Sequence, residues 1–184
     1  MNITNNTAVR YLVMVAALVL AFFAGSETMK WLRGDTEAES AAEAMVGQNR
    51  PSFALPDIEG IIRTPEDWAG RVLVVNFWAT WCSPCQKEIP IFNRLQEKYA
   101  SQGLQFVGIA LDEIEPVKNF AAAVGIKYPI LLGGDLALGV SDRYGNTFGA
   151  LPYTVFITRA GIIKKAYRGE VSEDNVEKLI TALL

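Results

Sequence analysis

The stretch Asn76-Phe77-Trp78-Ala79-Thr80-Trp81-Cys82-Ser83-Pro84-Cys85 constrains this chain more than any other. An apolar run from Val72 to Val75 leads into it and an amphipathic pattern follows, so the cysteines stand where a strand hands over to a helix. They are the only two cysteines in the chain. A disulfide between residues three apart closes too small a loop to stabilise a fold much, so the pair reads as a bond that opens and closes. At the helix N-terminus, unpaired N–H groups and the helix dipole favour a thiolate at Cys82. Cys85, one turn on, is close enough to close a ring with it. Pro84 falls in the first turn, where a missing N–H costs nothing. The stretch implies redox chemistry at two sulfurs.

The rest of the composition removes competing chemistries. There is no histidine, which excludes Ser-His-Asp and Cys-His catalysis, and two cysteines fall short of a four-ligand zinc set, so no metal is expected. Gln86 stands where an attached c-type haem needs histidine. The formal charge is -3, with 20 acids and 17 bases scattered and no basic run, so nucleic acid is not an expected partner. A length of 184 residues, 51% of them hydrophobic, suits one domain plus an additional apolar segment.

That segment is near the start. Residues 1–9 are polar and read as a cytoplasmic N-terminus, and Tyr11 to Gly25 is apolar without a break. Fifteen such residues match a signal-peptide core, while a helix over about 10–28 reaches the roughly 20 residues a membrane span needs. No good Ala-x-Ala-like cleavage site follows, so the reading is an uncleaved signal anchor first and a cleaved peptide second. Residues 29–50 carry acids, alanines and glycines without a wide apolar face and read as a spacer. The folded domain is expected over 51–184.

Within it, Ser52–Leu55 and Gly60–Arg63 read as short strands about a turn at Pro56-Asp57, and Arg71–Phe77 as a buried strand. The helix after the cysteines has Ile89, Phe92, Leu95 and Tyr99 at helical spacing, with Pro90 expected to kink it. Leu104–Ala110 reads as a strand, and Pro116–Val124 as a helix with Val117, Phe120 and Val124 inward. Tyr128–Leu132 reads as a strand and Asp135–Tyr144 as a short helix. Tyr153–Thr158 and Ile162–Tyr167 form a hairpin pattern, and Ser172 caps a last helix with Val176, Leu179, Ile180 and Leu183 inward. The order predicts an α/β domain with a mixed sheet covered on both faces.

This order, with Trp81-Cys82-Ser83-Pro84-Cys85 between strand and helix, resembles the thioredoxin fold, and more closely the membrane-anchored TlpA/ResA type of bacterial thiol–disulfide oxidoreductase. The resemblance is carried by Phe53–Asp57, Val74–Pro90 and Gly149-Ala150-Leu151-Pro152-Tyr153-Thr154. Sixty-six residues separate Cys85 from Pro152, room for the additional strand and helix that mark that type. It implies a cis proline at Pro152 opposite the disulfide and a Leu151 backbone that pairs with an incoming peptide like an added strand. Where thioredoxins place a buried aspartate, this chain has Asn76, which cannot titrate. Glu88 matches a glutamate that some ResA-like proteins use instead, and it reads either as the proton acceptor for Cys85 or as a surface acid. Trp81 reads as the rim of the site and a flat contact for substrate, Trp78 as core, and Ser83 and Pro84 as supports of the thiolate.

The resemblance implies a reductase of disulfides in exported proteins, such as apocytochrome c. Its electrons would come from a membrane donor of the DsbD/CcdA kind, at the outer side of a bacterial cytoplasmic membrane. No cofactor beyond the Cys82–Cys85 disulfide is expected. Rival readings are a dithiol oxidase and a tethered thiol- or copper-handling module, since two sulfurs can hold Cu(I). A peroxidase pattern Pro-x-x-x-Thr-x-x-Cys aligned on Cys82 finds Val75 and Ala79 instead.

Overall fold

The computed structural model of the chain describes residues 11–20 and 37–184, which fall into two units, Met1–Glu37 and Ala38–Leu184. In the first, residues 11–20 are helical. The remainder of the expected 10–28 anchor, the 1–9 leader and residues 29–36 of the expected spacer lie outside the described residues. Among the described residues, no helix is long and apolar enough to cross a membrane.

The second unit is built on β3 (Val72–Trp78), preceded by a small antiparallel pair, β1 (Leu55–Pro56) and β2 (Ile62–Arg63). The small pair is held by Asp57, whose carboxylate accepts from the Glu59 and Ile61 amides and from Arg63 Nε at 2.8 Å. After β3 come α1 (Ser83–Tyr99), β4 (Leu104–Ala110), α2 (Ile114–Val124), β5 (Ile130–Leu132) and α3 (Asp135–Arg143). The hairpin β6 (Tyr153–Ile157) and β7 (Ile163–Arg168) and the helix α4 (Glu173–Leu183) complete it. The sheet order is β5-β4-β3-β6-β7, with β3, β4 and β5 parallel and the hairpin antiparallel. This is the expected mixed α/β sheet.

Every residue of β3 is buried, because the strand is central and covered on both faces. Alternate side chains go to opposite cores. Leu73, Val75 and Phe77 pack with Leu55, Ala137, Val140 and Tyr144, beneath α3. Val72 and Val74 pack with Phe92 and Leu95 of α1 and Val176 and Ile180 of α4, and Trp78 continues that face toward Val117 of α2. On the same face Gly108 lets two aromatics close in, since a Cβ there would meet Trp78 Nε1 at 2.9 Å and Tyr128 Cε2 at 3.3 Å. Helix α1 runs unbroken through Pro90, with Ile89, Phe92, Leu95 and Tyr99 all buried as their spacing predicts. Ser172 caps α4 by accepting from the Asn175 amide.

Two expectations are corrected. Residues 38–50 are not a spacer, and the compact unit begins before Pro51. Ala38 and Ala42 of the helical residues 38–44 are buried, Gly47 N donates to Ile163 O at 2.8 Å, and Arg50 N donates to Gly161 O. The contact stripe is made of alanines four apart, which allow close approach while giving little apolar signal. In α2 Val117 and Ala121 are buried and Phe120 packs half-buried against the same cluster, as expected of its inward face, whereas Val124 is 44% exposed. The helix begins earlier than Pro116 and stops at Gly125, whose φ of 66° closes it in the left-handed region, so Val124 lies in a solvent-facing last turn.

Candidate active site

Cys82 lies at the end of β3's exit loop as the N-cap of α1, and it forms a disulfide with Cys85, the Cα atoms 5.3 Å apart. The Cys85 amide donates to Cys82 Sγ at 3.3 Å. An N–H aimed at that sulfur at a helix N-terminus favours the thiolate when the bond is open. Cys82 is 5% exposed and Cys85 only 1%, so the first sulfur is the one an incoming group can reach. Both pack in one cluster with Trp78, Ile89 and Leu151. Pro84 occupies the first turn and Ser83 beside it is exposed.

The loop that carries Cys82 is clamped. Asp112, just beyond β4, accepts from the Thr80 amide at 2.9 Å through Oδ2, which also accepts from the Thr80 hydroxyl, and its Oδ1 accepts from the Glu113 amide. Gln86 Nε2 donates to Thr80 O at 2.6 Å. Burial pushes the Asp112 carboxyl upward, but the hydrogen bonds from Thr80 and Glu113 outweigh it and hold its pKa below the ordinary aspartate value. Neither Asp112 nor Thr80 stands out in the sequence. The available signal is position: ligands and reactive groups collect beyond the carboxyl ends of parallel strands, where β3 and β4 both terminate.

Glu88 is 1% exposed, which removes the surface-acid alternative for its position. Its Oε1 accepts from the Val171 amide at 2.7 Å, while Oε2 has no hydrogen-bond partner. Burial raises its pKa to about 7, against the opposing pull of the Val171 hydrogen bond and with a small further push from Glu170. It lies three residues beyond Cys85 on α1, a spacing that puts both on one side of the helix. Asn76, at the position where thioredoxins place an aspartate, is buried and donates to Thr154 Oγ1 at 2.9 Å. The buried titratable carboxyl near the motif in sequence therefore lies on the helix, whereas the strand position holds Asn76.

The remaining candidates frame the sulfurs. The Leu151–Pro152 peptide bond is cis, Pro152 is buried, and Leu151 is half-buried against the cluster that holds both cysteines. Trp81 is 70% exposed on the rim, whereas Trp78 is buried with its ring 5.6 Å from that of Phe120.

Residues 45–183 match the family model described as Redoxin. The chain is 33% identical over 133 residues to thiol-disulfide oxidoreductase ResA of Bacillus thuringiensis (strain Al Hakam), covering 72% of this chain and 75% of that one. It is 31% identical over 173 residues to ResA of Geobacillus thermodenitrificans (strain NG80-2), covering 94% and 95%. The crystal structure of a thiol:disulfide interchange protein from Chlorobium tepidum TLS superposes with a TM-score of 0.66 at 29% identity, covering 73% of this chain and 94% of that one. With the helix-capping Cys82–Cys85 pair and the thioredoxin-like sheet, these matches show that the chain belongs to the Redoxin family, as a thiol–disulfide oxidoreductase of the ResA/TlpA type.

Proposed function

We propose that the protein reduces disulfides in exported proteins, with Cys82 as nucleophile, Cys85 as resolving thiol and Glu88 as proton acceptor. The observation that carries this reading is the pairing of an amide-stabilised sulfur at a helix N-terminus with a buried carboxyl whose pKa sits near 7. In the dithiol form, the Cys82 thiolate attacks one sulfur of a substrate disulfide. A mixed disulfide forms and the other substrate sulfur leaves as a thiolate, which takes a proton. Glu88 accepts the Cys85 proton, and the Cys85 thiolate attacks Cys82 Sγ. The Cys82–Cys85 bond forms, the second substrate sulfur leaves and is protonated, and two electrons have passed to the substrate. The two sulfurs carry all of them, so no further cofactor enters.

Trp81, Leu151 and Pro152 form the contact for the substrate chain, with the Leu151 backbone offering an edge to an extended segment. Ser83 and Pro84 keep the first turn compact around the thiolate. The 10–28 segment serves as a signal anchor in a bacterial cytoplasmic membrane, with the catalytic domain on the extracytoplasmic side. An oxidising compartment there requires electrons from a membrane dithiol donor of the DsbD/CcdA kind, and apocytochrome c is a fitting substrate. The relatives named ResA support this reading.

The reduction potential of the Cys82–Cys85 pair in the full chain tests the direction. A value near roughly -270 mV, that of thioredoxin, is expected, whereas one near about -120 mV, that of DsbA, makes the protein an oxidant and overturns the proposal.

A further inference from the structure

Among the described residues, three buried side-chain polar atoms have no hydrogen-bond partner: Trp78 Nε1, Glu88 Oε2 and the Tyr128 hydroxyl. Other buried polar side chains find partners: Asp57 with Arg63, Asn76 with Thr154, Gln96 with the Phe106 amide and Asn146 with Ser141. The three exceptions share one layer, between the sheet and the helices α1 and α2. Trp78 and Tyr128 meet at Gly108, where one point lies 2.9 Å from Trp78 Nε1 and 3.3 Å from Tyr128 Cε2, the ring carbon next to the one that bears the hydroxyl. From Tyr128 a line of rings leads to α1: Tyr128 is 5.8 Å from Phe106, and Phe106 stacks on Phe92 at 4.9 Å. Glu88 stands one turn before Phe92 on the same buried face. Its carboxylate is also the charge felt at the Tyr128 hydroxyl, where it adds to burial in raising the pKa of the phenol.

A buried hydroxyl without a partner costs stability, and a phenylalanine in its place would keep the ring contacts and shed that cost. Packing therefore accounts for the ring of Tyr128 and not for its oxygen. What the oxygen can do follows from its neighbour. Oε1 of Glu88 is committed to the Val171 amide, so Oε2 is the atom that takes a proton. A phenol donates to that atom when it is ionised and accepts from it when it is protonated, whereas an indole N–H can only donate. The contact closes by rotation of the Glu88 side chain or across one internal water.

We propose that Tyr128 is a positioning residue for Glu88: its hydroxyl holds Oε2 in both protonation states and so sets how readily the carboxylate takes the Cys85 proton. The inference rests on the reading of Glu88 as proton acceptor and adds the group that tunes it. The other ionisable groups near Glu88 are Cys85 on its own helix and Glu170 on the loop after β7, with Lys87 at 3.5 Å from Glu170. The side chains that β3, β4, α2 and α4 pack into the layer, Trp78, Phe106, Val117 and Val176 among them, do not titrate.

The test uses the pre-reduced full chain in neutral detergent, with the chromogenic disulfide dithionitrobenzoate as probe. The Cys82 thiolate attacks the probe and releases one nitrothiobenzoate. Cys85 then attacks Cys82 Sγ of the mixed disulfide and releases the second, while its proton passes to Glu88. The rate of the second release is followed from about pH 5 to 9. Losing a donor to the ionised carboxylate raises its pKa, so in Tyr128→Phe the inflection is expected about one pH unit above that of wild type. At the wild-type midpoint this slows the release about fivefold, and the two rates converge at high pH. Added to Glu88→Gln, the same change is expected to alter neither the rate nor the profile. The inflection is a position and not an amplitude, so loss of folded protein does not move it. An unmoved inflection in Tyr128→Phe, or an equal slowing in the Glu88→Gln background, overturns the role of Tyr128. A wild type without an inflection that Glu88→Gln removes instead brings down the reading of Glu88 as proton acceptor beneath it.

Discussion

Two carboxylates flank the cysteine motif and have opposite fates. Asp112 lies in front of it, accepting from the Thr80 hydroxyl and amide and from the Glu113 amide, and those bonds hold it ionised despite partial burial. Glu88 lies behind it, more deeply buried, with one amide donor and one oxygen that finds nothing. The difference is the depth of burial together with the number of donors. A buried carboxylate given enough of them becomes a fixed anion and can serve as an anchor, and one left short of them keeps a proton to near neutrality and can move it. The motif thus has a clamp on one side and, in the proposed mechanism, a proton acceptor on the other.

The largest effect belongs to Cys82 itself. Cys82→Ser is expected to reduce insulin-disulfide turnover to the level without protein while leaving the fold intact, as checked by circular dichroism. If activity persists, neither carboxylate has the role assigned to it. Glu88→Gln comes next. The rate of mixed-disulfide resolution at pH 7 to 8 is expected to fall about ten- to a hundredfold, and the inflection near pH 7 in the wild-type profile is expected to vanish. A profile that keeps its inflection in the variant would make Glu88 as inert as Asp112.

Glu88 also leaves a mark on stability. Its folded-state pKa, about 7, lies above the ordinary 4.5, so between these values the folded protein binds the extra proton. Stability from this group is fully present below pH 4.5 and is lost as pH rises through 7, about 3 kcal/mol in all. Urea unfolding at pH 5 and pH 8 should show that fall in the wild type and a flatter response in Glu88→Gln. Asp112 runs the other way. Its lowered pKa gives stability that is present above the ordinary 3.8 and lost as pH falls through the folded value.

How much of this was legible beforehand depends on how far each signal travels along the chain. Leu104–Ala110 forms β4 with the bounds its apolar run predicts, and α1 buries the stripe its spacing predicts, because both are local periodicities. The cysteines announced themselves by position between a strand and a helix. The Ala38 and Ala42 contact did not, since alanine buries little surface and leaves no pattern to read. Glu88 could be placed on the right face of α1, but its burial depends on the Val171 segment 83 residues away. Asp112 was missed for the same reason: it meets Thr80 across 32 residues, once β3 and β4 pair in parallel and bring their carboxyl ends together. Local chemistry is written locally, whereas the partners that set a carboxylate's proton affinity are supplied by topology.

Replacing Asp112 measures the clamp. In Asp112→Asn an amide NH₂ faces donors where an oxygen accepted them, so unfolding in urea at pH 7 should show a loss of about 1–3 kcal/mol. The gap between wild type and variant should close as pH falls through the folded pKa of Asp112. A variant equal to wild type at neutral pH would mean that the three hydrogen bonds hold nothing that matters, and the contrast with Glu88 would fail.

The smallest effect tests whether the clamp needs its second arm. Gln86 holds the Thr80 carbonyl, where Asp112 holds its amide and hydroxyl, but its side chain is exposed and water can replace its hydrogen bond. Gln86→Ala should therefore cost only about 0.5–1 kcal/mol in the same unfolding experiment. The double variant with Asp112→Asn decides whether the two arms act together. Both hold the one residue, Thr80, so the second loss is expected to exceed the first once the stronger partner is gone, giving a coupling of about 0.5 kcal/mol or more. Strict additivity would mean that the loop before Cys82 is held by its own backbone and by β3, with Asp112 serving only its own burial.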